Sequence, residues 1–332
     1  VVSRDDKIRS FVAAHGFGGA SITPLAQDAS FRRYWRLTDG PSPAVLMDAP
    51  PAQEDVRPYL AIGALLAGSG LSVPAVLAAD PSAGLVLLED FGDALFPAAL
   101  AFQPPDQLYD AAVDALSVLA RVPAPAGLRR WGPTEMAVSA GATFLDWWWP
   151  AMFGSEAPDP VRVGFLDAMS AMLASLDRQQ AVLVHRDYFA GNLFWLPERS
   201  AAGRVGLIDF QDAALGSPAY DLVSLVQDAR RDLPVDLAAR AIARTLDARP
   251  ELDAAAFEAA FAICAAQRHL RVACLWVRLA RRDNKPDYLR HAPRCWAMLE
   301  RALGHQATAP LAAFLDRHVP QRLRRTPEGV AA

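Results

Sequence analysis

Lysine is almost missing from this chain. Its 332 residues include 33 lysines and arginines together, and only Lys7 and Lys285 are lysines. Neither falls in a strand-like stretch. Cysteine is scarce too: Cys264, Cys274 and Cys295 form no closely spaced metal pair, and an odd number cannot all pair within the chain. Free thiols in a reducing cytoplasm are expected. The apolar segments are interrupted too soon to span a bilayer as helices. The N-terminal stretch VVSRDDKIRSFVAAHGF holds two aspartates and no long apolar run, unlike a secretory signal. A formal charge of −4 gives no general affinity for nucleic acid or a membrane surface. These absences predict a soluble, cytoplasmic protein with no nucleic-acid, membrane or obligate protein partner.

What is present is apolar and helix-forming. Hydrophobic residues make up 52% of the chain, with alanine and leucine prominent, and the length suits about two domains. Residues 3 to 15 pattern as a helix ending at Gly16. The stretch SFRRYWRLTDG (30 to 40) reads as a strand closed by an Asp39-Gly40 turn, and PAVLMDAP (43 to 50) as a second strand. A helix over 55 to 69 follows, then strands near 73 to 78 and 84 to 93 around a DPSAG turn. Beyond Gly92 helical patterns dominate, over 106 to 122, 164 to 180, 235 to 247 and 254 to 282. The basic tail from Arg317 is expected to fray. The prediction is an α+β chain with a small sheet-rich lobe over 1–92, a hinge at Glu89 to Asp93 and a larger helical lobe over 93–332.

The chemistry concentrates in VLVHRDYFAGNLFWL, residues 182 to 196. Asp187 follows one apolar run, Asn192 precedes a second, and Asp209 ends a third in VGLID. A hairpin of the later two runs would gather all three polar groups at one end. A lone His-x-Asp is usually an ordinary polar turn; the ordered set of three is what distinguishes this one. Two aspartates and an asparagine form a hard, oxygen-rich site that suits Mg²⁺ shared with phosphates and suits zinc poorly. Phosphoryl transfer fits, with Asp187 orienting the acceptor hydroxyl and taking its proton.

HRDYFAGNLFWL together with GLIDFQDA and SPAYDLVSL resembles the aminoglycoside phosphotransferase and choline kinase superfamily, over nearly the whole chain. The resemblance implies a bilobal protein-kinase-like fold and ATP with Mg²⁺ as cofactors. It makes Asp187 the catalytic base, Asn192 and Asp209 metal ligands, and His185 and Asp221 supports of the catalytic loop. GLVLLEDFGD resembles the hinge strand, so Glu89, Asp90 and Phe91 mark where backbone would meet the adenine.

Kinases of this kind carry a lysine on the third strand, paired with a glutamate on the next helix. Here AVLMDAP places Met47 near that position, and the helix body from Val56 to Ser69 has no acid; Glu54 and Asp55 stand just ahead of it. Arginine can grip phosphate bidentately, so Arg32 or Arg33 is the candidate replacement, with Ser30 near the phosphate-covering turn. Strand period puts Arg32 and Arg36 on one face and Arg33 on the other. A solvated basic strand is the plainer alternative.

SFRRYWR, VLMDAPP, LLEDFGD and IDFQDAALGSPAYDLVSL are similar to one bacterial branch, the anomeric N-acetylmuramate/N-acetylglucosamine kinases (AmgK-type). That resemblance implies phosphorylation of the C1 hydroxyl to the α-1-phosphate in peptidoglycan recycling, and it makes the missing lysine a trait of the branch. An aminoglycoside pocket should be rich in acids, whereas residues 254 to 282 carry Arg268, His269, Arg271 and Arg278. Arg271 is the candidate for the lactyl carboxylate, with Asp212, Trp131 and Glu135 as further acceptor contacts. Trp147, Trp148 and Trp149 cannot all face one sugar. Two readings stay open: a kinase of another small alcohol or an aminoglycoside, and a non-catalytic ATP-binding module.

Overall fold

The computed structural model describes residues 3–25, 31–234 and 236–330. In chain order the elements begin α1 (Arg4–Val12), β1 (Ser21–Pro24), β2 (Arg33–Thr38), β3 (Ala44–Asp48), α2 (Arg57–Gly68), β4 (Val76–Asp80), β5 (Leu85–Glu89), α3 (Phe96–Ala99) and α4 (Pro105–Leu119). They continue with β6 (Arg130–Trp131), α5 (Pro133–Thr143), α6 (Trp149–Phe153), α7 (Asp159–Leu173), β7 (Val182–Val184), β8 (Leu193–Trp195), β9 (Val205–Leu207) and β10 (Ala214–Gly216). Five helices close the chain: α8 (Tyr220–Val226), α9 (Leu237–Ala248), α10 (Ala254–Asp283), α11 (Ala292–Leu303) and α12 (Ala309–His318). No helix among the described residues is long and apolar enough to cross a membrane.

Packing divides the chain into two compact units, one of residues up to Val122 with Ala190–Ala213, the other of Pro123–Phe189 with residues from Ala214 on. The division does not follow composition alone. Residues 93 to 122 and the β8–β9 hairpin belong to the first unit, where α3 and α4 pack against the hairpin and its flanks, although the shift to helical patterning begins near residue 92.

The first unit is built on a five-stranded antiparallel sheet in the order β1-β2-β3-β5-β4. Alternation along β3 decides which side each residue serves. Ala44 and Leu46 join Leu37, Leu85 and Leu87 in a cluster covered by Ile8, Phe11 and Val12 of α1. That helix starts where Ser3 accepts the Asp6 N–H at 3.1 Å, with Asp5 and Asp6 in the first turn where the helix dipole favours them. Asp48 lies on the same side, fully buried, and is held by Arg4 and by Arg33 Nη2 at 2.7 Å. Gly84, at φ 66°, closes the β4–β5 turn; a Cβ there would lie 1.9 Å from the Ala49 carbonyl oxygen. Only glycine tolerates that approach. The β8–β9 hairpin joins this unit through a parallel bridge between Ser72 and Gly206 and a hydrogen bond from Ser72 Oγ to the Gly203 carbonyl (2.6 Å).

The second unit is mainly helical around a short sheet in the order β6-β10-β7, with β10 antiparallel to β7 and parallel to β6. Its spine is α10, capped by Asp253 accepting the Ala256 N–H at 2.8 Å and ended by Asn284 in the left-handed region. Phe144, Trp148, Phe165, Trp296 and Phe314 stack into an aromatic core. Trp148 and Trp149 are buried in it, so the tryptophan triplet is core material for at least those two. Cys264, Cys274 and Cys295 are free and buried, and burial pushes the Cys264 thiol up to about 12.

The tail corrects the expectation of fraying. Trp148 Nε1 donates to the Arg325 carbonyl at 2.9 Å, and Arg324, with its side chain 4% exposed, pairs with Glu300 and Asp316. A buried guanidinium with two carboxylates is a dock, and the basic composition hid it. The arginine-bearing face of α10 is also not simply solvated: Arg268 is buried and donates to Ser224 Oγ at 2.6 Å, and His269 is fully buried.

Candidate active site

In the first unit, strand alternation sorts the three arginines of SFRRYWR. Arg33 pairs in register with Asp48 and is spent on that buried carboxylate. Arg36 is bound to Asp90 and Asp93 beyond β5 (2.6 and 2.7 Å). Arg32, just ahead of β2, places Nη1 3.5 Å from Asp209 Oδ1 and Nε 3.7 Å from Glu54 Oε2. Of the two candidate phosphate-binding arginines, Arg32 is therefore the one brought to Asp209. Burial works against its charge, but Tyr34, Asp209 and Glu54 outweigh that and hold the guanidinium raised. Ser30, also expected there, lies outside the described residues.

Met47, expected near the lysine position, carries no charge. It is fully buried, opposite Tyr34 and Val86 in the sheet register. Nearby aromatic packing is extensive: Tyr59 of α2 stacks on Phe210 at 4.7 Å, and burial raises the phenols of both Tyr34 and Tyr59. An ammonium at Met47 would be desolvated among these groups. The two acids ahead of α2 have separate jobs. Asp55 accepts the Arg57 N–H at 3.0 Å and starts the helix, which leaves Glu54 to face Arg32.

The β8–β9 hairpin pairs Leu193 with Leu207, placing Asn192 just before one strand and Asp209 just beyond the other, at the same end. The Ile208 N–H donates to the Asn192 carbonyl at 3.2 Å and ties the two segments together. Asp209 has φ 63°, unusual for a non-glycine residue, and its side chain is 45% exposed while Gln211 Nε2 donates to it at 2.9 Å. A strained, exposed carboxylate is the kind of feature that persists only where surrounding structure holds it.

β5 and the residues after it have side chains turned to structural work. Glu89 accepts the Ala75 N–H at 3.1 Å and pairs with Arg199. Asp90 receives Arg36 and the Gly92 N–H (2.8 Å). Phe91 packs edge-on against Phe194 at 5.6 Å and against Gly206, where a Cβ would lie 2.7 Å from its ring. The side chains of Glu89 and Asp90 are thus engaged within the first unit.

In the second unit the HRD segment is organised by a buried aspartate. Asp221, on α8, accepts the backbone N–H of His185 at 2.5 Å and of Arg186 at 2.9 Å. Burial raises its carboxyl, opposed by His185 and by those two N–H bonds. Arg186 adopts φ 75° immediately before Asp187, and its guanidinium lies 4.1 Å over the Trp131 ring. The Phe189 N–H then donates to the Asp187 carbonyl at 3.2 Å, closing a tight turn. His185 and Asp221 are buried and Asp187 is half-exposed.

The expected acceptor contacts diverge. Trp131 is buried, ringed by Arg186, by Arg271 at 5.9 Å and by Tyr220 edge-on at 5.7 Å. Arg271 also reaches Tyr220 Oη at 3.5 Å. Glu135 caps α5, accepting the Gly132 N–H at 3.0 Å, so its position has a structural cause. Asp212 is half-buried in the first unit, three residues beyond Asp209. Sequence reasoning passed over Arg230, whose guanidinium lies 4.4 Å over the Phe189 ring; its aromatic neighbours come from distant segments, so no local motif announced it.

Among the described residues, no three or more His, Cys, Asp and Glu side chains gather as a metal cage. Asn192 and Asp209 at one end of the hairpin still fit a hard divalent ion. Magnesium commonly takes one or two protein oxygens and completes its octahedron with water and substrate phosphates.

A family model described as "Phosphotransferase enzyme family" matches residues 21–257. An N-acetylmuramate/N-acetylglucosamine kinase of Caulobacter vibrioides is 38% identical, over 95% of this chain and 97% of the relative. One of Pseudomonas aeruginosa is 33% identical, over 91% and 90%. Among solved structures, a choline kinase from Streptococcus pneumoniae superposes with a TM-score of 0.64 at 14% identity, covering 93% of this chain and 99% of that one. That likeness carries the fold alone.

Proposed function

This chain belongs to the phosphotransferase enzyme family, and on that premise we propose that it transfers the γ-phosphoryl group of ATP to the C1 hydroxyl of N-acetylmuramate, N-acetylglucosamine or both, yielding the α-1-phosphate for cell-wall sugar recycling in the cytoplasm. The observation that carries this reading is similarity along almost the whole length to kinases of these two sugars, with Asp187, Asn192 and Asp209 all present.

Asp187 accepts the proton of the anomeric hydroxyl as its oxygen bonds to the γ-phosphorus. The bond from that phosphorus to the β–γ bridging oxygen breaks, and ADP leaves with the electron pair. An anomeric hydroxyl is somewhat more acidic than other sugar hydroxyls, so a carboxylate suffices as base, and positioning supplies most of the catalysis. Asn192 and Asp209 would hold Mg²⁺, which would neutralise charge on the phosphates. Arg32, steadied by Glu54, grips phosphate in place of the absent lysine, and backbone around Glu89 to Phe91 receives the adenine. On this reading residues 1–92 form the nucleotide-binding lobe and hinge, and residues 93–332 the catalytic and substrate-binding lobe. His185 and Asp221 hold the loop that aims Asp187, with Asp212 and Trp131 toward the acceptor side.

An acceptor panel tests the substrate class. ADP release from ATP and Mg²⁺ should depend on N-acetylmuramate or N-acetylglucosamine and exceed that with choline or an aminoglycoside at least tenfold in kcat/KM. Release driven equally by choline or aminoglycoside would favour a kinase of another alcohol. ATP binding with no acceptor-dependent release would favour a binding module.

A further inference from the structure

Arg230 sits in the segment between α8 and α9, half-buried, with its guanidinium carbon 4.4 Å from the Phe189 ring centroid, 5.8 Å from Trp276 and 6.0 Å from Tyr288. Trp276 and Tyr288 are themselves stacked at 5.2 Å. Aromatic faces hold a guanidinium in place and leave its edge N–H groups available for an anion. The acids of this segment are engaged elsewhere: Asp228 faces Arg231 at 3.7 Å and accepts the Arg230 backbone N–H at 2.8 Å, and Asp232 is bound by Arg294 at 2.8 Å. Among the described residues, no carboxylate pairs with the Arg230 guanidinium. Positive charge accumulates around it: burial first, then Arg290, Arg230 and Arg294, pushes the neighbouring His291 imidazole down, with Asp228 opposing.

The position matters as much as the charge. Phe189 follows Asp187 by two residues and is fixed to it by the 3.2 Å hydrogen bond between Phe189 N–H and Asp187 carbonyl. One short turn therefore carries both the proposed base and the ring against which Arg230 is held. N-acetylmuramate differs from N-acetylglucosamine by a lactyl ether on C3, which ends in a carboxylate. Arg271, the other arginine in question, already lies against Trp131 and Tyr220.

We propose that Arg230, clamped by Phe189, Trp276 and Tyr288, receives the lactyl carboxylate of N-acetylmuramate and sets the preference between the two sugars. The assignment rests on the amino-sugar kinase reading and specifies its acceptor site.

The test measures kcat/KM and equilibrium binding for N-acetylmuramate, its lactyl methyl ester and N-acetylglucosamine, in wild type, Arg230→Gln, Arg230→Lys and Arg271→Gln, with thermal melts as a folding control. Arg230→Gln should lower the ratio of kcat/KM for N-acetylmuramate over N-acetylglucosamine by about 10- to 150-fold, the range for a hydrogen-bonded charge. Most of the change should lie in KM. Esterification should cost wild type a similar factor and cost Arg230→Gln little more, and Arg230→Lys should recover part of the ratio. An unchanged ratio in a folded Arg230→Gln, or a fall that tracks Arg271→Gln instead, overturns the assignment while leaving the sugar kinase intact. A wild-type protein that phosphorylates neither sugar overturns the activity and this inference together.

Discussion

Arg32 stands 3.5 Å from Asp209 and 3.7 Å from Glu54, just ahead of β2, whose neighbour β3 carries the fully buried Met47. In the proposed mechanism the phosphate-gripping charge is supplied by Arg32, ahead of β2, with Glu54, three residues before α2, as its acidic partner. We propose that this arginine–glutamate pair does the work expected of a lysine–glutamate pair. A lysine at Met47 would be desolvated, whereas Arg32 is steadied by carboxylates already in reach.

Replacing Arg32 should therefore weaken triphosphate binding selectively. Arg32→Ala is expected to raise the ATP dissociation constant by about 10- to 100-fold, in line with the loss of one charged hydrogen-bonding group. Affinity for adenosine should shift far less. Calorimetric titration with both ligands checks it, and an equal loss for adenosine would mean that Arg32 maintains the fold of the unit and not the phosphate grip.

The second prediction concerns acid. His269 is fully buried with Nε2 2.6 Å from Gln227 Oε1, and burial, then Arg268 and Arg301, hold its imidazole well below the ordinary 6.5. The folded protein refuses a proton that the unfolded chain accepts below about pH 6.5. Stability from this group is thus complete above that pH and falls as pH drops, by at most about 1.4 kcal/mol per pH unit for one proton. Urea unfolding between pH 7 and 5 should show a steeper acid loss in wild type than in His269→Gln. Identical slopes would contradict a neutral His269.

The long helices and the order Asp187, Asn192, Asp209 were legible because periodicity and spacing are local properties. α4, α9 and α10 fall close to their patterned stretches, and β8 and β9 form the expected hairpin. β6 and β10 were not legible, since two or three residues carry no period and exist only through pairing with each other and with β7. Glu135 looked like an acceptor contact because a capping residue and a ligand-binding carboxylate have the same sequence appearance. The tail around Arg324 read as solvated because its partners, Glu300 and Asp316, lie before it in separate helices. Alternation did separate Arg33 from Arg32 and Arg36, and in the structure Arg33 pairs with Asp48 while Arg32 lies near Asp209.

The central proposal is that Asp187 takes the proton of the anomeric hydroxyl while that oxygen receives the γ-phosphoryl group of ATP. Phosphorus–proton correlation NMR of the product formed from Mg-ATP and N-acetylmuramate or N-acetylglucosamine tests it most directly. The account predicts phosphate on C1 in the α configuration, and a loss of about 10²- to 10⁴-fold in kcat for Asp187→Asn with ATP binding retained. Phosphate on C6, or full turnover by Asp187→Asn, would contradict it.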